Sequence, residues 1–121
     1  MAQHNDFGKH GEALALEHLE QHGYHILERN WRYGRAEIDL IAYLNARLIF
    51  VEVKTRSSSS FGYPEDFVTD AKQKLMELAA TQYIELMNHK GEIRFDIVSI
   101  LFNDKNTHTI NHIEDAFWPD F

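Results

Sequence analysis

Asp39, Glu52 and Lys54 are the residues whose types and spacing could do chemistry in this 121-residue chain. They interrupt two apolar segments, Ile38-Asp39-Leu40-Ile41 and Leu48-Ile49-Phe50-Val51-Glu52-Val53-Lys54. Segments apolar on both faces belong inside a sheet packed on two sides. Burying an unpaired charge in such a place costs several kcal/mol even after relaxation. Glu52 and Lys54 are two residues apart and share a strand face. If the chain turns back on Asn45-Ala46, Asp39 lies directly opposite Glu52, with Cβ atoms about 4.5–5.5 Å apart. Like charges so opposed repel one another, and a divalent cation between them, with Lys54 beside it, removes the repulsion. Hard carboxylate oxygens suit Mg²⁺ or Mn²⁺. Such an ion polarises a scissile phosphate and lowers the pKa of a bound water. Lys54 would orient that water or stabilise the charge that develops on the phosphate. The chemistry is metal-assisted phosphodiester hydrolysis. The competing account is a buried ion pair between Lys54 and Glu52, which gives no reason to tolerate a second carboxylate opposite the first.

These residues need elements to position them. Phe7, Ala13, Leu14, Ala15, Leu16 and Leu19 recur at near-helical spacing and predict a helix over residues 7–22, stopped by Gly23. Residues 24–33 read as a strand in which Tyr24, Ile26, the stem of Glu28, Asn30 and Arg32 share one face, with Gly34 as punctuation. Strands over 37–43 and 48–55 follow. One face of this hairpin carries Ile38, Leu40, Ala42, Ile49, Val51 and Val53. The other carries Ile41, Tyr43, Leu48 and Phe50 together with the three charges. Ser57-Ser58-Ser59-Ser60 with Gly62 and Pro64 makes a polar loop. A second helix is expected over 69–89, capped by Thr69 or Asp70, using Leu75, Leu78, Ala79, Ile84 and Leu86 as apolar positions and ended by Gly91. A strand over 93–102 and a short one near 109–113 complete an αβββαβ(β) order. The long helix between strands permits a right-handed parallel crossover. The expected fold class is α/β, a mixed sheet flanked by helices.

Length and composition bound the answer. At this size one domain spanning residues 1–121 is the expectation. The chain has no cysteine, which excludes disulfides, thiolate metal sites and cysteine nucleophiles. Apolar runs such as Leu48 to Val51 are far short of the roughly 20 residues that span a bilayer. His4, Asp6, Lys9 and Glu12 interrupt any leader-like stretch, so a cytoplasmic protein with no membrane partner is expected. The net charge of −7 excludes bulk attraction to a polyanion. Residues 31–60 form the only net-positive stretch, and it holds Glu37, Asp39 and Glu52, so any basic surface there surrounds carboxylates.

Asp39, a twelve-residue spacer and Glu52-Val53-Lys54 resemble the PD-(D/E)XK signature of the restriction-endonuclease-like superfamily. Gly11-Glu12, Arg29-Asn30-Trp31-Arg32, Glu37-Ile38-Asp39-Leu40-Ile41-Ala42 and Phe50-Val51-Glu52-Val53-Lys54-Thr55-Arg56 stand in the order expected of the YraN family. Lys72-Gln73-Lys74-Leu75, Arg94-Phe95-Asp96-Ile97-Val98 and Ala116-Phe117 extend the resemblance over nearly the whole chain. It implies an endonuclease-like fold related to archaeal Holliday-junction resolvases. The first three strands would form an antiparallel meander, and the second helix would cross to a strand parallel to the third. It implies that Asp39, Glu52 and Lys54 match the catalytic acid, acid and lysine, and that Glu12 on the first helix matches an acidic position reaching the metal site. Ala36 stands where the family usually has glycine, which would alter the turn entering the strand. The leading expectation is a Mg²⁺- or Mn²⁺-dependent DNA endonuclease, with branched or distorted DNA as a candidate substrate. The alternatives are a non-catalytic nucleic-acid-binding module of the same fold and a protein-interaction module whose acidic tail meets a basic partner.

Other residues have both a functional and an ordinary reading. Arg32, Arg35, Arg56, Lys72 and Lys74 could contact phosphates or simply solvate the surface. Gln73, near the start of the second helix, is equally divided between site and surface. Glu37 is expected to make a structural pairing with Arg35 rather than to bind metal. Trp31, Tyr33, Phe61 and Tyr63 could stack on bases, although core packing suits at least half of them. His18 and His22 lie four apart on a helix, but no further ligand of recognised spacing accompanies them or His108 and His112, so no histidine metal site is expected. The tail Phe117-Trp118-Pro119-Asp120-Phe121 caps the core or meets a second copy, with capping preferred. A homodimer is the expected assembly if paired centres cut two strands.

Overall fold

A computed structural model describes residues 2–57, 68–104 and 107–119, with side chains from residue 8 onward. The side chain of Phe7, the loop residues Ser58 to Pro64, including Phe61 and Tyr63, and the terminal Asp120 and Phe121 lie outside the described residues. The elements run α1 (Ala2–Gln21), β1 (His25–Tyr33), β2 (Ala36–Leu44), β3 (Arg47–Ser57), α2 (Asp70–Met87), β4 (Glu92–Phe102) and β5 (His108–Ile113). Every expected element is present, and only the start of α1 departs by more than two residues.

The strands form one sheet in the order β1-β2-β3-β4-β5. β1, β2 and β3 make an antiparallel meander, α2 carries the chain to β4 parallel to β3, and β5 returns antiparallel. This is an α/β fold consistent with a restriction-endonuclease-like core. A helix covers each face. Met76, Ala79, Ala80 and Tyr83 of α2 pack on Ile38, Ile41, Leu48, Phe50 and Phe95. On the opposite face Ala15 and Leu19 of α1 pack on Leu40, Ala42, Ile49, Val51, Val98 and Ile100. That double cover is why β2 and β3 are apolar on both sides. Phe50, fully buried in the first core, would cost about 3–5 kcal/mol on truncation to alanine. No helix among the described residues is long and apolar enough to cross a membrane.

Several local expectations change. The inward stripe of α2 is Met76, Ala79, Ala80 and Tyr83, at i, i+3, i+4 and i+7. Leu75, Leu78 and Leu86 therefore face outward, 39%, 48% and 70% exposed. The helix is capped by Thr69, whose Oγ1 accepts the Lys72 N–H at 3.1 Å. It stops at Asn88, which adopts a left-handed conformation (φ 52°), rather than at Gly91. Gly91 has a different duty, because a Cβ there would lie 2.7 Å from the Ala46 carbonyl oxygen of the β2–β3 turn. In β1 a bulge between Ile26 and Glu28 and a positive φ at Asn30 break the expected alternation. Asn30 and Arg32 are exposed, and Trp31 turns inward onto Tyr83 with ring centroids 5.2 Å apart.

A buried polar network fastens the last strand. Asp96 accepts hydrogen bonds from Arg94 Nε and Nη2 at 2.8 Å each, pairs with His112 Nε2 at 2.8 Å and accepts the Asp115 N–H at 3.0 Å. Arg94 also donates to the Tyr24 hydroxyl at 2.8 Å and lies 3.3 Å from Glu114. Burial alone would raise the Asp96 carboxyl, and the partners His112, Arg94 and Asp115 outweigh it and hold its pKa below 3.8. The tail then caps the α2-side core, as preferred: the Ala116 N–H donates to Phe95 O at 2.8 Å, and Phe117 lies 5.5 Å from the Phe95 ring.

Candidate active site

Asn45 and Ala46, both at positive φ, close a two-residue turn, and β2 pairs with β3 from Leu44↔Arg47 to Leu40↔Val51. This is the register that a turn on Asn45-Ala46 dictates. The ladder ends there, one step before the acids. Val53 donates its N–H to Asp39 Oδ2 at 2.8 Å, so a carboxylate takes the place of a backbone acceptor. Beyond this split Ile38 packs on the α2 face with Ile41, not with Leu40 and Ala42 on the other. The expected face of Ile38 is thereby reversed. Asp39 and Glu52 meet as side chains at the parting of two strands rather than as a paired rung.

The split lets charges from both faces converge. Glu52 is 5% exposed. Lys54 Nζ lies 3.4 Å from its Oε2 and Lys72 Nζ, in the first turn of α2, 3.8 Å from its Oε1. From the α1 side Glu12 comes close enough to act on Asp39. Its neighbour Gly11 explains the approach, because a Cβ at residue 11 would stand 1.9 Å from Thr55 Cγ2 on β3. Asp39 is pushed up to about 8, first by burial, then by the charge of Glu52, with Glu12 adding and the Val53 N–H opposing. The pair therefore holds a proton at neutral pH.

Lys54 and Glu52 do form the ion pair of the competing account, yet that pair does not satisfy the site. Glu52 Oε1 is buried and makes no hydrogen bond. Burying an acceptor without a partner costs about 1–3 kcal/mol. A buried open acceptor beside a second carboxylate that must stay protonated is what a divalent cation would relieve. The donors are all oxygens, the set that Mg²⁺ or Mn²⁺ takes. No group of three His, Asp or Glu side chains converges as a metal cage among the described residues. Two adjacent carboxylates meet the need of Mg²⁺, which commonly binds through one or two carboxylates and keeps several waters.

Residues 11–100, which include every one of these side chains, match the description "Uncharacterised protein family UPF0102". The chain belongs to the UPF0102 family. This is the YraN family that the sequence resembled. A UPF0102 protein of Flavobacterium psychrophilum is 48% identical over 118 residues, 98% of each chain. One of Bacteroides fragilis is 45% identical over 119 residues, again 98% of each. One of Chlorobium chlorochromatii is 43% identical over 120 residues, 95% of this chain and 93% of that one. UPF0102 membership brings no reaction with it, so the chemistry rests on the site.

Around that site the UPF0102 chain distributes the remaining candidates unevenly. Lys72 joins the acids. Arg32 is exposed and pairs with Glu37 at 3.5 Å, because the two face each other across β1 and β2. Arg35, the expected partner of Glu37, is exposed in the turn between these strands. Gln73 is turned back, donating to Val68 O at 3.2 Å, and Lys74 is exposed on the outward side of α2. Arg56 lies two rungs beyond Lys54 on the same face of β3. Tyr33 is 42% exposed, while Trp31 is packed. His18 lies 4.3 Å from His22 and 5.4 Å from His112, ring to ring, and burial followed by those two neighbours lowers its pKa. His112, which looked isolated in the tail, is the partner of Asp96. Sequence spacing could not find that pairing, since the residues lie on adjacent strands sixteen positions apart.

Proposed function

We propose that this UPF0102 protein is a metal-dependent endonuclease that hydrolyses DNA phosphodiester bonds, with branched or distorted DNA as its substrate. One observation carries the reading: two carboxyls, Glu52 buried and Asp39 half-buried, meet at the β2–β3 split, with Glu52 Oε1 lacking any hydrogen bond and Asp39 forced to keep a proton. Asp39 and Glu52 would hold Mg²⁺ or Mn²⁺, with Glu12 acting on them through its charge. When bound, the ion supplies charge neutralisation and Lewis-acid polarisation of the phosphate.

The chain's own residues do the rest. Asp39 gives up its proton when the pair takes a cation, which makes binding pH-dependent. The Val53 N–H fixes the orientation of Asp39, leaving its other oxygen for the site. Lys54 and Lys72 place two ammonium groups within 4 Å of Glu52, where they stabilise negative charge developing on a phosphate. In a chain of net charge −7, phosphate recognition is local and depends on the cation, so binding in chelator is weak. Pairing of two copies belongs to the same reading, since the outward Leu75, Leu78 and Leu86 of α2 offer an apolar face for a second chain.

The test is cleavage of linear, flap and four-way DNA by the purified protein with Mg²⁺ or Mn²⁺ and with chelator. Asp39→Ala, Glu52→Ala and Lys54→Ala should each lower the rate by about 10²–10³-fold or more. Full activity in all three variants overturns the reading. Binding without turnover in the wild type points instead to a non-catalytic nucleic-acid-binding module.

A further inference from the structure

In the tail after β5, Phe117 packs against the α2-side core and Pro119 is buried, whereas Trp118 between them is 52% exposed. Its orientation is nonetheless fixed. The indole meets the Phe95 ring in a T-shaped contact, centroids 5.9 Å apart, and its N–H donates to Asp115 Oδ1. With that N–H taken, Trp118 has only apolar ring surface to offer an incoming group. A rigid, exposed aromatic ring is a platform on which a nucleic-acid base stacks. Trp118 and Pro119 line a pocket of about 250 Å³ with Asp70, Gln73 and Lys74 from the start of α2. Gln73 Nε2 donates to Val68 O at 3.2 Å, which leaves its Oε1 as an acceptor. The Asp70 carboxylate adds further acceptors. Acceptors beside an aromatic ring repel a phosphate and select an amino group on a flat ring. Cytosine, adenine and guanine carry such a group and thymine does not. Lys74, exposed beside them, supplies a positive charge for the backbone phosphate.

We infer that this pocket holds one unpaired DNA base, stacked on Trp118 with its exocyclic amino group on Asp70 and Gln73, next to the phosphodiester at Asp39 and Glu52. The inference rests on the nuclease reading of that site and names its substrate as DNA with a single-stranded arm. A base inside an intact duplex has its faces stacked and its pairing edge occupied, so only an unpaired one can enter. The start of α2 joins the two places, since Lys72 reaches Glu52 Oε1 at 3.8 Å while Asp70, Gln73 and Lys74 line the pocket. Phe95, which carries Trp118, pairs with Phe50, two residues before Glu52. Strand spacing and rise put the Cα atoms of Phe95 and Glu52 about 8 Å apart. Trp118 is thus a positioning residue, and Asp70 and Gln73 determine which base is held.

The test is fluorescence anisotropy of the full chain in Ca²⁺ buffer with labelled flap DNA whose unpaired arm is cytosine, thymine or abasic. The wild type should bind the cytosine arm most tightly and the abasic arm least. Trp118→Ala should weaken binding of the cytosine arm about tenfold or more and leave the abasic arm unchanged. Trp118→Tyr, which still stacks, should recover most of that loss. Asp70→Asn, which adds a donor, should narrow the preference for cytosine over thymine several-fold. A wild type that binds the three arms equally, or none of them, overturns the pocket. So does an equal loss on cytosine and abasic arms in Trp118→Ala, the result of a merely displaced tail. Cleavage by a wild type that fails these tests leaves the nuclease reading standing. Arm-dependent binding by a protein that never cleaves supports the pocket and overturns catalysis alone.

Discussion

Asp96 and Glu52 are buried carboxylates on adjoining strands, yet they have opposite fates. Asp96 is fully buried on the α1 side and is met by Arg94, His112 and the Asp115 N–H. Its pKa lies below 3.8. Glu52 is almost as buried on the α2 side, but one of its oxygens has no hydrogen bond, and its neighbour Asp39 is pushed up to about 8. Burial alone does not mark a site. What separates the two is whether the surroundings satisfy the charge, and only the second centre is left needing something from outside the chain.

The largest expected effect breaks the satisfied centre. Asp96→Ala strands the Arg94 guanidinium, itself mostly buried, and should destabilise the chain by about 3–5 kcal/mol. Denaturant unfolding checks it, and a loss below about 1 kcal/mol would mean that the network is ornamental. At the open centre the sign reverses. Asp39→Asn keeps an acceptor for the Val53 N–H and offers Glu52 a donor, so at pH 8 the metal-free variant should be more stable than the wild type by on the order of 2 kcal/mol.

The pH dependence follows the same division. The folded pKa of Asp39, about 8, lies above its ordinary value of 3.8, so between those values the folded chain binds more protons than the unfolded one. Its contribution to stability therefore falls as pH rises from 4 to 8. Asp96, with its pKa held below 3.8, contributes stability that is present above about pH 4 and lost as pH falls through the folded value. Unfolding curves from pH 4 to 8 should slope downward in the wild type and flatten in Asp39→Asn. A wild-type curve already flat over that range would refute the assignment to Asp39.

How far these centres could be read in advance depended on whether local rules governed them. Asn45-Ala46 and strict alternation place Asp39 beside Glu52, and both the turn and the register are as read. Alternation cannot foresee a split, and Ile38 faces α2 instead of the opposite side that alternation predicts. The phase of α2 is not legible from its leucines, because Leu75, Leu78 and Leu86 face outward. The small side chains of Ala79 and Ala80 let the helix sit close to the sheet, and they choose its face. Arg94 and Asp96 share β4, but His112 comes from β5 and Tyr24 from the α1–β1 junction, and no spacing rule joins the three places. Lys72 was readable as a phosphate contact but not as a partner of Glu52, since only the fold brings α2 over β3.

Gly11 offers a subtler way to disturb the open centre without touching its charges. Gly11→Ala places a methyl group 1.9 Å from Thr55 Cγ2, so α1 must lift from β3. Overpacking of this kind costs about 1–3 kcal/mol. Thr55→Ser removes that Cγ2 and should recover most of the loss in the double variant. Additive losses would show that the contact is not what limits the approach of α1.

The smallest effect is the most direct measure of the contrast. If the open centre takes a divalent ion, Mn²⁺ at ten times its dissociation constant should stabilise the wild type by about 1.4 kcal/mol. The gain should be larger at pH 8 than at pH 5.5, because at the lower pH the ion must displace the proton on Asp39 against its raised pKa. Asp39→Asn should abolish the gain, since it leaves one carboxylate where two are needed. Gly11→Ala should reduce it slightly by moving the charge of Glu12 away from the pair. Arg32→Ala, which breaks only an exposed pair with Glu37, should leave it unchanged. A thermal shift of equal size in Asp39→Asn and in the wild type would place the ion elsewhere and remove the distinction between the two carboxylate centres.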